Sequence, residues 1–215
     1  MYKVKKIFIV GTQTFYTSFI RFEYKLTDKL QDADIVIFTG GEDVDPKYYN
    51  EEKHYTTYSN YKRDAYEEEI FKMISPNQLV IGICRGSQFL CVMNGGKLVQ
   101  DVTGHAIYYT HPIYNDKDEC LYITSTHHQM QFPYRLNNND YDVLYYAKGL
   151  SQHYEGIKDL TDDEKKLLKK KEPEIVLYHK ENKPKCLAIQ GHPEMMAIAT
   201  DAVIKINELI KNLLN

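Results

Sequence analysis

Three short runs hold the residues of this 215-residue chain whose types and spacing could do covalent chemistry. They are Gly82-Ile83-Cys84-Arg85-Gly86, Ser125-Thr126-His127-His128-Gln129 and Gly191-His192-Pro193-Glu194. In the first, a cysteine sits between two glycines after an apolar run (Leu79, Val80, Ile81, Ile83) and before a helical pattern from Ser87 to Met93. This is the form of a nucleophile elbow with cysteine in place of serine. The turn is tight, so side chains at Gly82 or Gly86 would meet the neighbouring backbone. A helix start beside the thiol favours its thiolate form. Cysteine more often only packs, so the reading needs a base elsewhere. In the third run, His192 and Glu194 stand two apart in an extended segment and project to the same side. A carboxylate there can take one imidazole nitrogen and leave the other to face a thiol, which is triad logic in its thiol form.

These groups need rigid elements to hold them. Lys6 to Val10, Asp34 to Thr39 and Leu79 to Ile83 read as buried strands, and Tyr24 to Thr27 as a shorter one. Phe15 to Phe22 reads as a short helix. Arg63 to Ile74 reads as a helix with Ala65, Ile70, Phe71 and Ile74 inward, and its Glu67-Glu68-Glu69 run as a solvated face. Asp34 to Thr39 ends in Gly40-Gly41-Glu42-Asp43, a loop where backbone N–H groups can approach a ligand at a strand's carboxyl edge. Further strands are expected at Cys120 to Ser125, Asp142 to Tyr146, Glu174 to His179 and Cys186 to Gln190, the last two as a hairpin. Gly149 to Glu172 is highly charged and reads as a surface insertion, either helical or mobile. Asp201 to Leu214 is an amphipathic helix. Strands alternating with helices in the first half predict an α/β fold. It is a mainly parallel sheet with helices on both faces and extra antiparallel strands at one edge, in one domain over residues 1–215.

Acidic residues number 30 and basic residues 27. That balance gives no electrostatic reason to expect nucleic acid or an anionic membrane as partner. The four cysteines (Cys84, Cys91, Cys120, Cys186) include no C-x-x-C, so reduced thiols are expected. The run MYKVKKIFIVGTQ lacks a secretory core and cleavage site, and no run reaches membrane-spanning length. A cytoplasmic protein is expected. His105, His111, His127 and His128 fall within a modest span. No pair has the spacing of a known zinc motif, so neither metal nor cofactor is expected.

The order of the Gly-Gly loop, G-I-C-R-G-S-Q and G-H-P-E resembles the class I glutamine amidotransferases, whose fold is flavodoxin-like. Gly40-Gly41-x-Asp43-Val44-x-Pro46-x-x-Tyr49, Arg63-Asp64-x-x-Glu67 and Ser125-x-His127-His128-Gln129 resemble the γ-glutamyl hydrolase branch. Size and the I-T-S-T-H-H-Q-M run are also similar to amidotransferase-like proteins of bacteriophages. The resemblance implies Cys84 as nucleophile, His192 as acid and base, and Glu194 as its orienter. It implies an oxyanion hole from the N–H groups of Gly41 and Arg85, Gln88 against the glutamyl group, and His127, His128 and Gln129 on the far wall. Arg63 and Asp64 would form a structural ion pair beneath the loop. The implied reaction is hydrolysis of a small-molecule γ-glutamyl amide or peptide through a thioester. The alternative is a glutaminase subunit supplying ammonia to a separate synthetase chain. A binding module that keeps only the fold is a third reading, disfavoured by the filled triad positions.

Overall fold

Short apolar strands followed by loops at one common edge dominate the computed structural model, which describes residues 4–11 and 13–215. Residues 1–3, part of the run read above as lacking a secretory core, lie outside the described residues, as does Thr12. In chain order the strands are β1 (Lys5–Val10), β2 (Tyr24–Leu26), β3 (Ile35–Phe38), β4 (Leu79–Ile83), β5 (Lys97–Val99), β6 (Asp101–Val102) and β7 (Ala106–Tyr114). Then come β8 (Cys120–Thr126), β9 (Met130–Phe132), β10 (Tyr141–Ala147), β11 (Tyr154–Glu155), β12 (Glu172–Tyr178) and β13 (Cys186–Ile189). The helices are α1 (Tyr61–Lys72), α2 (Arg85–Met93), α3 (Asp162–Lys170) and α4 (Asp201–Leu213).

Nine strands form one sheet in the order β2-β1-β3-β4-β13-β12-β10-β7-β8. From β2 to β13 the neighbours are parallel, and from β13 to β8 antiparallel. The parallel strands are buried on both sides and therefore read as near-continuous apolar runs. Their side chains still divide by period two. Ile35, Ile37, Leu79, Ile81, Leu187 and Ile189 pack toward α4 on one face. Val36, Phe38, Val80, Cys186 and Ala188 pack toward α1 and α2 on the other. The α/β architecture with helices on both faces and antiparallel strands at one edge is the one expected. No helix among the described residues is long and apolar enough to cross a membrane.

Three expectations change. Phe15 to Phe22 is not a helix; only Thr14–Thr17 forms a 3-10 turn, and Tyr16, Phe19 and Ile20 are buried from it. On α1 the buried residues are Asp64, Glu67 and Phe71, so Glu67 is not on a solvated face. Gly149 to Glu172 is docked. It contributes β11, which pairs with β6, and α3, started by a Thr161–Glu164 capping box. Ile157 and Leu168 close a small core with Val99, Val102, Met130 and Phe132. Glu172, fully buried, accepts from the N–H groups of Leu150 and Ser151 and from the Tyr154 hydroxyl, each at 2.8 Å.

Because Leu168 is fully buried in that small core, Leu168→Ala is expected to lower unfolding stability by about 2–5 kcal/mol. Urea titration measures it; an unchanged midpoint would mean that the segment does not pack as described.

Candidate active site

Three adjacent parallel strands deliver the site, which is why residues distant in sequence meet. The Gly-Gly loop follows β3, Cys84 follows β4, and Gln190 to Glu194 follow β13, all at carboxyl ends. Cys84 has φ +52° and ψ −111°, strained for a residue with a side chain. Its N–H is held by the Ile189 carbonyl at 2.8 Å, and its carbonyl takes the Ser87 N–H and hydroxyl at 3.0 and 2.7 Å. A β-carbon on Gly86 would overlap the Phe38 carbonyl of the neighbouring strand, so α2 can lie this close to the sheet only with glycine there.

His192 Nδ1 lies 2.6 Å from Glu194 Oε1. The carboxylate can only accept, so Nδ1 carries the proton and the other ring nitrogen is left for the thiol. Burial opposes charge on His192, but its interactions with Cys84 and Glu194 outweigh that and push its pKa up to about 10. Thr124 on β8 clamps the His192 backbone at both ends: its hydroxyl donates to the carbonyl at 3.0 Å and accepts from the N–H at 2.8 Å. Ser18 donates to the Glu194 carbonyl at 2.9 Å. Tyr16 stands in the same space. Burial first, then Glu194 and Cys84, push its hydroxyl up to about 12, so it is a neutral donor at neutral pH. Neither Thr124 nor Tyr16 carried a sequence signal. Among the other cysteines, burial pushes Cys91 and Cys186 up to about 12; Cys120 is exposed.

Gly41 has φ +142°, and any side chain there would overlap the Arg63 guanidinium. That guanidinium donates to the Thr39 and Gly40 carbonyls at 3.1 and 2.9 Å and pairs with Glu67 at 2.8 Å and Glu42 at 3.0 Å. Arg85, the first residue of α2, turns its side chain the other way from the elbow. It is buried, pairs with Glu67 and Asp64, and stacks over Phe89 at 5.0 Å. Asp64 also accepts the Asp45 N–H at 2.9 Å. So Arg63 and Asp64 do hold the loop from beneath, each bonding its backbone directly, but they do not pair with each other; Glu67 and Arg85 link them.

A cavity of about 220 Å³ opens here, lined by Gly41, Asp43, Cys84, Arg85, Gln88 and His128 among others. His127 and Gln129 also border it, yet they are almost wholly buried. His127 gives Nδ1–H to the Gln129 carbonyl at 2.8 Å, and Gln88 Nε2 donates to the same oxygen at 3.0 Å. Gln129 Nε2 donates to Thr57 at 3.0 Å. His128 is the wall histidine with a free face. The Asp43 carboxylate 3.2 Å away raises its pKa, with Asp101 adding to it against burial. The expected wall residues are thus brought together, but both ring nitrogens of His127 point behind the wall, Nδ1 to the Gln129 carbonyl and Nε2 toward Glu174.

A mixed sheet of this order with its loops gathered at the carboxyl edge is the fold of class I glutamine amidotransferase-like proteins. It is shared with the glutamine amidotransferase of Thermotoga maritima (TM-score 0.54, 16% identity, 100% of this chain and 87% of that one). It is shared also with a chain of PurLQS from Thermotoga maritima (TM-score 0.54, 19% identity, 99% and 100%). The model of the peptidase C26 family matches residues 21–194, and the chain belongs to that family. Protein NtpR of Enterococcus hirae is 33% identical over 92 residues, 42% of this chain and 36% of its own. A glutamine amidotransferase-like protein of Rickettsia prowazekii is 36% identical over 89 residues, 40% and 31%. These matches span about a third of those relatives' lengths.

Two outcomes are expected from this geometry. Glu67→Ala strips the buried Arg85 of one partner and should destabilise the fold by about 3–5 kcal/mol, measured by denaturant unfolding; a loss below about 1 kcal/mol would contradict the network. The raised pKa of His192 makes its proton a stabilising one. That contribution is present below the ordinary value of about 6.5 and is lost as pH rises toward about 10. The stability gap between wild type and His192→Gln should therefore narrow from pH 7 to pH 10; a constant gap would remove the charge pair from the account.

Proposed function

We propose that this chain is a cysteine-dependent hydrolase of γ-glutamyl amide or peptide bonds. The observation that carries the reading is the pairing of His192 with Glu194 beside Cys84, whose thiol is one of the groups that raise the His192 pKa. Cys84 in turn lines a cavity also bordered by Gly41 and Arg85, whose main-chain N–H groups would serve as the oxyanion hole. His192 takes the thiol proton, and the Cys84 sulfur adds to the γ-carbonyl carbon. The N–H groups of Arg85, at the helix start, and Gly41 stabilise the oxyanion. Collapse breaks the C–N bond. His192 returns the proton to the departing amine, and a glutamyl thioester remains. Water, deprotonated by His192, adds to the thioester; the C–S bond breaks, and glutamate and the free thiol are restored. Glu194 holds the tautomer and offsets the imidazolium charge throughout.

The cavity walls suit an amino-acid head group. His128, driven toward its charged form by Asp43, offers a cation to the α-carboxylate, and Glu42 and Asp43 offer anions to the α-ammonium. Gln88 sits one helical turn beyond Cys84 and lines the γ-carbonyl end.

Glutamate release from a panel of γ-glutamyl amides, glutamine included, tests the reading on the isolated chain. At least one amide larger than glutamine should have the higher kcat/KM. Cys84→Ser and His192→Ala should abolish turnover while retaining the fold, Glu194→Gln should lower mostly kcat, and His128→Ala should raise KM by about tenfold, the scale of one charge-assisted contact. Glutaminase activity that appears only with a second protein, with every larger amide inert, would replace the hydrolase by an ammonia-supplying subunit of a separate synthetase.

A further inference from the structure

Behind the far wall of the cavity, three histidines converge on one carboxylate. Glu174 Oε1, on β12, lies 3.0 Å from His111 Nε2, 3.1 Å from His105 Nδ1 and 3.6 Å from His127 Nε2. Glu174 and His105 are fully buried, and His111 and His127 nearly so. One donor atom each from His105, His127 and Glu174 can be chosen so that all three lie within 4.8 Å of one another.

Proton accounting leaves this cluster incomplete. His127 Nδ1 faces a carbonyl oxygen, which only accepts, so Nδ1 holds the ring proton. Nε2 is then a bare lone pair with no hydrogen-bond partner, aimed at a carboxylate oxygen. Two acceptors facing each other in a dry interior are a net cost unless a cation lies between them. Glu174 Oε2 and both ring nitrogens of His105 also lack a well-aligned hydrogen bond.

We propose that His105, His127 and Glu174 form a site for a divalent transition-metal ion of the zinc type. Two imidazoles and a carboxylate are an ordinary donor set for such ions. The outer shell is also of the expected kind. The Gln129 carbonyl fixes the His127 tautomer, Glu172 Oε2 faces His105 Nε2 at 3.5 Å, and His111 Nε2 donates to Glu174 Oε1. Local sequence spacing hides the set, because its members come from the turn before β7, the loop after β8, and β12. The ion would pin the hairpin of β7 and β8 to β12 and so fix the Gln129 carbonyl on which Gln88 rests. It takes no part in the amide chemistry, and the proposal stands whether or not that chemistry is as described above.

The test is zinc content of the purified full chain after dialysis, followed by Co²⁺ titration of the metal-stripped protein. About one equivalent should bind saturably, with d–d absorption of a nitrogen and oxygen ligand set and no thiolate-to-cobalt band. Zn²⁺ should raise the thermal midpoint. Cys84→Ala should bind as the wild type does, and His105→Ala and Glu174→Gln should each weaken binding by at least about tenfold. No saturable binding by the wild type overturns the proposal. So does binding lost in Cys84→Ala but unchanged in His105→Ala, which would put the metal on the catalytic-type thiol. If the His105 and Glu174 variants fail to fold, X-ray absorption of the cobalt-loaded wild type decides. Two imidazoles without sulfur support the site, and sulfur ligation refutes it.

Discussion

A guanidinium buried between a helix and a sheet cannot be left alone, and the placement of Arg85 constrains much of this structure. The main chain of Arg85 opens α2 directly after the strained Cys84, while its side chain runs into the interior to meet Asp64 and Glu67. Both carboxylates belong to α1, so α1 must lie against the elbow. Glu67 is shared with Arg63, whose other donors hold the carbonyls of Thr39 and Gly40. The loop after β3 and the turn after β4 are therefore referenced to each other through one charged network. Buried ion pairs add little net stability compared with apolar packing. What this one supplies is register: the two main-chain N–H groups that flank the cavity cannot drift independently.

The same economy appears at His192. His192 has a carboxylate on one ring nitrogen, and its backbone is gripped at both the N–H and the carbonyl by one threonine hydroxyl. Thr124 belongs to β8, at the antiparallel end of the sheet. The extension beyond β12 is thus not decoration on a parallel core. It supplies the restraint on the imidazole and the wall behind the cavity.

The elbow and G-H-P-E were legible because each states its need locally. Glycines flank a cysteine where no side chain fits, and two polar residues stand two apart across a proline; the segment was expected to be extended, but Pro193–Met195 closes as a 3-10 turn that still brings Glu194 onto the His192 ring. The parallel strands were legible for a similar reason, since burial on both faces forces apolar runs. Glu67 was not legible. Within three consecutive glutamates nothing marks one as buried, and its partner Arg85 draws notice for its main chain. The charge of residues 149–172 likewise masks Ile157 and Leu168, the two apolar residues it buries in the small core. Phe15 to Phe22 has apolar residues enough for a helix, but Tyr16, Phe19 and Ile20 are buried from a single 3-10 turn and the chain that follows it. The histidines that meet at Glu174 come from the turn before β7, from β7 itself and from the loop after β8, and only the fold defines their spacing.

The distribution of the site along the chain has a consequence for biosynthesis. Cys84 leaves the ribosome with β4, long before β13 and the segment bearing His192 and Glu194. β13 must also insert between β4 and β12 in the sheet. Until β13 is made, Cys84 therefore has neither His192 beside it nor the carbonyl of Ile189 that holds its N–H. The strained turn becomes fully supported only when β13 slots into place. A nascent chain that stops short of β13 thus lacks the arrangement around Cys84, and insertion of that one strand completes the turn and its surroundings together.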